Sequence, residues 1–416
     1  MNKVIVAHPS KQHSLHTAMA IESKNMLHSY ITTIYQKKGT IISLFIHIIP
    51  SKYRKKVSSH YCEDLPIDKI IVIDEFLSLL YLFISRIKGL RYLSKWLYLY
   101  LVNSFGVKVA DYAIKNNVDA VIMYDETSVS CFKILKEKAP KIKRILDVST
   151  VNRLFVKRIY EEDMLKYHHD LLRKRFSFLW KKKNIKYYHE EIELTDFFIF
   201  PSNFVMNSYK YSNSSMKNYK IIPYGVDATL FKGKSVFKYD YEKIKLIFVG
   251  QISLYKGLHH LLSVISQIDS NKVELSLVGP IVDYALYVKY RSYKHIHFEG
   301  FVPFAQLQEY YHNADVFVFP TLGEGFGLVV LEALSCGLPV ICSQNAGGND
   351  CIKDGYNGFV YNPLNEEELR YKIIWFIENK CQLRQMSVNA QKSVQYYTWE
   401  KYSISVSEYV REIIYE

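Results

Sequence analysis

The sequence predicts an α/β protein made of two doubly wound domains, and three observations predict it. The chain has 416 residues, too many for one ordinary core, so two domains of about 200 residues are expected. Short apolar runs alternate with helical text in two separate series, the pattern of parallel sheets covered by helices on both faces. The charge also changes sign between the series. Residues 1–225 carry 36 Lys and Arg against 20 Asp and Glu, whereas the remainder carries 18 against 21.

In the first series, "KVIVAH" (3–8) reads as a strand, followed by the polar loop "PSKQHS" and helical text to about residue 30. Further strands are expected at "YITTIY" (30–35), "KIIVID" (69–74), "DAVIMYD" (119–125), "KRILDVS" (143–149) and "TDFFIFPS" (195–202), with long basic helical text over 153–193. The second series begins after "IIPYGVD" (221–227). Its strands are "KLIFVG" (245–250), "VELSLVG" (273–279), "IHFEG" (296–300), "DVFVFP" (315–320) and "PVICS" (339–343). The closing "TWEKYSISVSEYVREIIYE" is amphipathic and helical.

Composition narrows the class. Hydrophobic residues at 49% and charged residues at 23% describe a globular chain. Six scattered cysteines without a C-x-x-C pair, and a start that reads as a strand rather than a secretory segment, suit reduced thiols in a cytosol. No run approaches the roughly 20 apolar residues of a spanning helix. The excess positive charge of the first half suits an anionic partner. A nucleic acid is not expected, because no aromatic stacking platform interleaved with Lys and Arg is readable. A dinucleotide oxidoreductase is excluded by the missing G-x-G-x-x-G and its following acid.

The stretch "TLGEGFGLVVLEALSCGLPVI" (321–341) carries the chemistry. It links a buried strand to a helix at the carboxyl edge of a parallel sheet, where ligands of such sheets bind. Gly323, Gly325 and Gly327 bare the backbone, and the helix start offers unpaired N–H groups with partial positive charge. A phosphate fits there. Glu324 and Glu332 do not suit a phosphate, but carboxylates accept hydrogen bonds from hydroxyls. A nucleoside diphosphate sugar uses all these parts, with Glu324 on the sugar and Glu332 on the ribose. A helix tip decorated with a favourable acid is the simpler alternative. "FVGQISLYKGLHHLL" (248–262) adds Gln251 and Lys256, the latter a point charge for a diphosphate or an ordinary solvated lysine.

The pattern G-[RQ]-x4-K-G, the E-x7-E spacing of Glu324 and Glu332, and the text "FEGFVPFAQLQEYYHNADVFVFPTLGEGFGLVVLEALSCGLPVI" resemble the donor half of the retaining GT-B glycosyltransferases of family 4, especially bacterial polysaccharide and capsule members. "FPSNFV" (200–205) and "IIPYGVDATLF" (221–231) resemble the stretch where such enzymes cross between domains. The likeness is close over about 195–365 and weak over the first 150 residues. It implies two Rossmann-like domains facing across a cleft. Residues 1–222 would bind the acceptor, 223–396 would bind the nucleotide sugar, and a last helix at about 397–416 would cross back onto the first domain.

By the same resemblance Lys256 would hold the diphosphate, the backbone of Gly325, Phe326, Gly327 and Leu328 would hold sugar and phosphate, and the backbone near Phe301 would touch the base. Gln251 stands where the family usually has Arg, so stabilisation of the leaving group leans on Lys256 and the helix terminus. Paired glycines are missing after the first strand. His8, Lys11 and His13 stand there instead, as contacts to donor or acceptor or as plain loop residues. Asp125 and Asp147 end strands near the expected reacting carbon. Each would orient an acceptor hydroxyl, support oxocarbenium-like charge, or merely cap the next segment.

The resemblance implies retention of configuration. The absence of D-x-D argues against a metal requirement, and no cofactor is expected. A nucleotide-sugar isomerase or phosphorylase on the same plan is the alternative. Residues 75–104 are mostly apolar; read as one helix, they place Lys88, Arg91 and Lys95 on one face, suited to an anionic membrane surface and a lipid-linked acceptor. The bland alternative is a core helix with a solvated face. The expected location is cytoplasmic, peripheral on the inner membrane face.

Overall fold

The computed structural model describes residues 2–10, 12–45, 62, 64–87, 89–167, 171–213, 216–227, 229–233 and 242–416. Seven strands form the first sheet: β1 (Val4–Ala7), β2 (Leu27–Thr32), β3 (Ile70–Val72), β4 (Ala120–Tyr124), β5 (Lys143–Asp147), β6 (Phe197–Phe200) and β7 (Tyr219–Ile221). They lie in the order β3-β2-β1-β4-β5-β6-β7, all parallel. Six strands form the second: β8 (Ile244–Val249), β9 (Val273–Val278), β10 (Ile296–Gly300), β11 (Val316–Phe319), β12 (Val340–Ser343) and β13 (Gly358–Tyr361). Their order is β10-β9-β8-β11-β12-β13, also parallel.

The central strands read as unbroken apolar runs because helices cover both faces. Every residue of β1, β4, β6, β11 and β12 is buried. Each sheet has one place where the chain winds outward in opposite directions, between β1 and β4 in the first and between β8 and β11 in the second. The loops that leave those strands open a crevice at the carboxyl edge.

The chain crosses between the domains through a tight contact. A β-carbon on Gly225 would lie 2.1 Å from the backbone N of Trp399, so only glycine fits where the outgoing and returning segments touch. Val226 N donates to Tyr397 O at 3.0 Å beside it. Thr398 then caps the helix Trp399–Tyr415, its hydroxyl accepting from Lys401 N. That helix packs on Ser14–Glu22 of the first domain. The apolar core is continuous across the seam through Val156, Tyr160, Tyr224 and Phe326.

Several expectations change. The strand expected at 30–35 is Leu27–Thr32, and β7 and β13 were not foreseen. β7 is a half-buried three-residue edge strand, and β13 opens on Gly358, so neither shows a long apolar run. The basic text after residue 153 divides into helices Arg153–Lys166, Leu171–Arg175 and Lys182–Leu194. The stretch 75–104 is not one helix. It breaks at Gly89, in the left-handed region at φ +99°, between helices Glu75–Ile84 and Arg91–Lys115. Arg91 and Lys95 share the second of these helices, and Lys88 lies outside the described residues. Lys11 lies outside them as well.

Candidate active site

The edge of the second sheet is built by close backbone approaches. Gly257 sits at φ +68°, and a β-carbon there would fall 1.8 Å from Pro320 O. The loop after β8 is thus pressed onto the end of β11, which brings Lys256 to the glycine turn. Lys256 Nζ forms an ion pair with Glu324 Oε2. It also lies 5.5 Å from the ring centroids of Tyr255 and Phe319, within cation–π range. Gly327 at φ +79° begins the helix Leu328–Ser335, which has no side-chain cap and so leaves its tip open to a ligand. Leu328 and Gln251 are exposed, and Gln251 accepts from the Tyr255 hydroxyl. Phe301 stands exposed just beyond β10.

Glu332 lies on the same helix. It is buried and accepts from the Tyr311 hydroxyl at 2.9 Å, with desolvation raising its pKa to about 7.

The edge of the first sheet is closed inward. Asp147, at the end of β5, is 1% exposed. Its Oδ2 lies 2.9 Å from His13 Nε2 and accepts from Thr17 Oγ1 at 3.1 Å and from the Tyr402 hydroxyl of the last helix at 3.4 Å. Asp125, beyond β4, accepts from Ser149 N at 2.7 Å, Ser149 Oγ at 2.8 Å and the Thr150 hydroxyl. Burial raises its pKa against those bonds. His8 is buried; desolvation lowers its pKa to about 4, and its Nδ1 accepts from Ser10 N at 2.9 Å.

Each acid reaches the glycine turn through few intermediates. Asp125 holds Ser149, whose carbonyl oxygen lies only 2.0 Å from where a β-carbon on Gly325 would stand. Asp147 bonds His13, which packs on Tyr224 at 4.5 Å, and Tyr224 packs on Phe326 at 5.4 Å. The turn that exposes backbone to a ligand therefore also docks onto the first domain.

Sequence reasoning missed the remaining seam contacts. Helix Arg153–Lys166 sets Val156 against Gly323 and Asp163 against His259 and His260. Arg175 pairs with Asp283, Phe176 packs on Tyr255 at 5.7 Å, and Asn203 N donates to Asp350 at 2.7 Å. Only the double histidine of "GLHHLL" was visible as a signal, since the partners lie about a hundred residues apart.

Residues 233–393 match the profile of the family described as "Glycosyl transferases group 1". The match takes in 161 of the 416 residues. An uncharacterised glycosyltransferase of Methanocaldococcus jannaschii is 27% identical over 208 residues, 48% of this chain and 56% of that protein. An uncharacterised 41.2 kDa protein of the cps region of Klebsiella pneumoniae is 34% identical over 121 residues, 29% of this chain and 33% of that protein. The chain thus spans about half or less of the length of these curated relatives. Sucrose-phosphate synthase of Thermosynechococcus elongatus superposes over 100% of both chains with a TM-score of 0.68 at 16% identity. HepE of Anabaena, solved with UDP-glucose, superposes over 99% of both chains at a TM-score of 0.62 and 15% identity. Together with the two parallel sheets, these likenesses establish the GT-B fold.

Proposed function

We propose that the protein is a retaining glycosyltransferase that moves a sugar from a nucleoside diphosphate sugar to a saccharide or lipid-linked saccharide acceptor in cell-surface polysaccharide synthesis. The observation that carries this reading is the meeting of Lys256, Glu324 and the uncapped tip of helix Leu328–Ser335 at one switch point. The UDP-glucose complex of the HepE neighbour supports a nucleoside diphosphate donor, and the cps-region relative supports a surface polysaccharide.

In this reading the diphosphate displaces Glu324 from Lys256 and takes the ammonium and the helix tip. Glu324, released, accepts from the donor sugar's hydroxyls. The acceptor hydroxyl attacks the anomeric carbon from the side of the leaving group. The bond from that carbon to the diphosphate oxygen breaks, the bond to the acceptor oxygen forms, and the departing phosphate takes the acceptor's proton. Lys256 and the helix tip stabilise the charge that develops on the diphosphate. Asp147 supports positive charge on the sugar or orients the acceptor through His13. No metal and no cofactor is needed at this site.

Release of free nucleoside diphosphate from a panel of nucleotide sugars tests the proposal. Lys256→Ala and Glu324→Ala are each expected to lower release by about 10²–10³-fold, the usual loss for one preorganised stabilising group. Absence of both binding and release across the panel would overturn it.

The membrane reading belongs to the same proposal, with the protein resting on the inner face of the cytoplasmic membrane. Helices Glu75–Ile84 and Arg91–Lys115 pack together and expose Phe76, Phe83, Tyr92, Leu93, Trp96 and Leu99, with Tyr92 91% and Trp96 60% exposed. Aromatic groups beside a basic surface suit a headgroup layer. No helix among the described residues is long and apolar enough to cross a membrane. Co-sedimentation with anionic vesicles should fall severalfold in Lys95→Glu/Trp96→Ala, while nucleoside diphosphate release in solution stays unchanged. Sedimentation equal to wild type would remove the membrane from the proposal.

A further inference from the structure

Away from Lys256 and Glu324, the seam contains a cluster that the proposed reaction does not use. Asp163, on helix Arg153–Lys166 of the first domain, is fully shielded from solvent. Two consecutive imidazoles from the start of helix Leu258–Ile265 converge on one of its oxygens. His259 Nε2 lies 3.2 Å and His260 Nε2 2.7 Å from Asp163 Oδ1. The three atoms lie within 4.8 Å of one another. On its other edge, His260 Nδ1 is 2.9 Å from Glu366 Oε1, and Glu366 Oε2 accepts from Ser263 Oγ at 3.1 Å.

The nitrogens of His260 define the problem. A neutral imidazole has one N–H and one lone pair. If Nδ1–H is given to Glu366, Nε2 turns a lone pair toward a carboxylate oxygen. Two acceptors facing each other at 2.7 Å need a cation between them, either a second proton or a metal ion. Asp163 and Glu366 bring two negative charges to the seam. A divalent ion with neutral imidazoles balances both, as would a proton on each of the two imidazoles, and a buried charge such as that of Asp163 is costly unless compensated. Tetrahedral zinc, with bonds of about 2.0–2.1 Å, separates neighbouring ligand atoms by about 3.3 Å; His259 already stands at 3.2 Å from Asp163 Oδ1, and His260, at 2.7 Å, would draw back by about 0.6 Å to admit the ion. A metal-bound histidine usually gives its other N–H to a carboxylate, which is where Glu366 stands.

We propose that Asp163, His259 and His260 form a binding site for a divalent transition metal of the zinc class, with Glu366 orienting His260. Asp163 comes from the first domain and both histidines from the second, so the ion ties helix Arg153–Lys166 across the seam. It is a structural ion, separate from the proposed transfer chemistry.

The test uses the full chain, stripped with a chelator, incubated with zinc chloride, desalted and assayed for metal by elemental analysis. The expected result is one zinc per chain, a thermal midpoint raised by several degrees, and, for the Co2+-loaded protein, the visible spectrum of a low-symmetry nitrogen and oxygen site. His259→Gln/His260→Gln should lose the metal while keeping its far-ultraviolet circular dichroism. Glu366→Gln should keep the site with about 10–100-fold weaker affinity. Zinc retention no greater in wild type than in the double variant, or a Co2+ spectrum matching the hydrated ion, would overturn the proposal in favour of a proton-bridged cluster.

Discussion

Between β8 and β11, the switch point of the second sheet presents a bare helix tip and an ion pair whose side chains are 13% and 28% exposed. Between β1 and β4, the switch point of the first sheet opens beside Asp147, which is 1% exposed and held by His13, Thr17 and Tyr402, and beside Asp125, whose oxygens are taken by Ser149 and Thr150. The same architecture leaves one edge with charges that a ligand can exchange and the other with charges already satisfied. In the proposed reading, the edge with satisfied acids positions its neighbours and the open edge binds the donor.

Substitutions at the contact between the edges test this contrast most severely. A side chain on Gly325 meets the Ser149 carbonyl, a backbone atom that cannot swing aside. Gly325→Val is expected to keep nucleotide binding in the second domain but to lower transfer by more than tenfold, because the domains can no longer dock. Its stability should fall by about 1–3 kcal/mol, the usual cost of overpacking. Binding and transfer measured together check it, and equal loss of both would show that the turn serves only the ligand.

Asp147→Asn should act next most strongly. It removes a buried charge that accepts from several donors, costing about 1–3 kcal/mol in chemical denaturation. If the acid only positions His13 and the last helix, Tyr402→Phe should reproduce part of the loss of transfer. Wild-type transfer in Tyr402→Phe beside inactive Asp147→Asn would instead place the acid at the reacting atoms.

A third test, one that leaves the contact between the edges untouched, concerns Glu191, buried behind the first edge, where it accepts from Glu126 N at 3.0 Å and Ser128 Oγ at 2.8 Å. Burial raises its pKa from 4.5 to about 8. The folded state then holds a proton that the unfolded state releases, so stability falls as pH rises between 4.5 and about 8. Glu191→Gln removes the titrating group, although its one amide oxygen can keep only one of these two contacts, and it should flatten that part of the stability profile, as denaturation midpoints across the range would show. An unchanged slope would assign the pH dependence elsewhere.

Much of the second domain was legible because its signals are local. A buried strand, a glycine turn and a helix fall within residues 316–335, and Lys256 follows its strand by seven residues. Lys256 and Glu324 could be placed together because adjacent parallel strands end at the same edge. Glu332 was read from carboxylate chemistry, spacing and resemblance, none of which reveals its neighbour Tyr311, 21 residues away on another helix. The first domain was harder to read, since its acids are satisfied by long-range partners such as Tyr402, 255 residues from Asp147. The break at Gly89 was also hidden, because a glycine inside an apolar run carries no mark of the backbone angle it will adopt.

Trp399 begins the returning helix with its indole stacked on the imidazole of His16 at 3.7 Å, nearly parallel. The chain has only 4 tryptophans. Any movement that lifts this helix from the first domain must separate the two rings and change the environment of one of the four indoles. The molecule therefore carries its own optical gauge of how firmly its tail is seated, readable without a label.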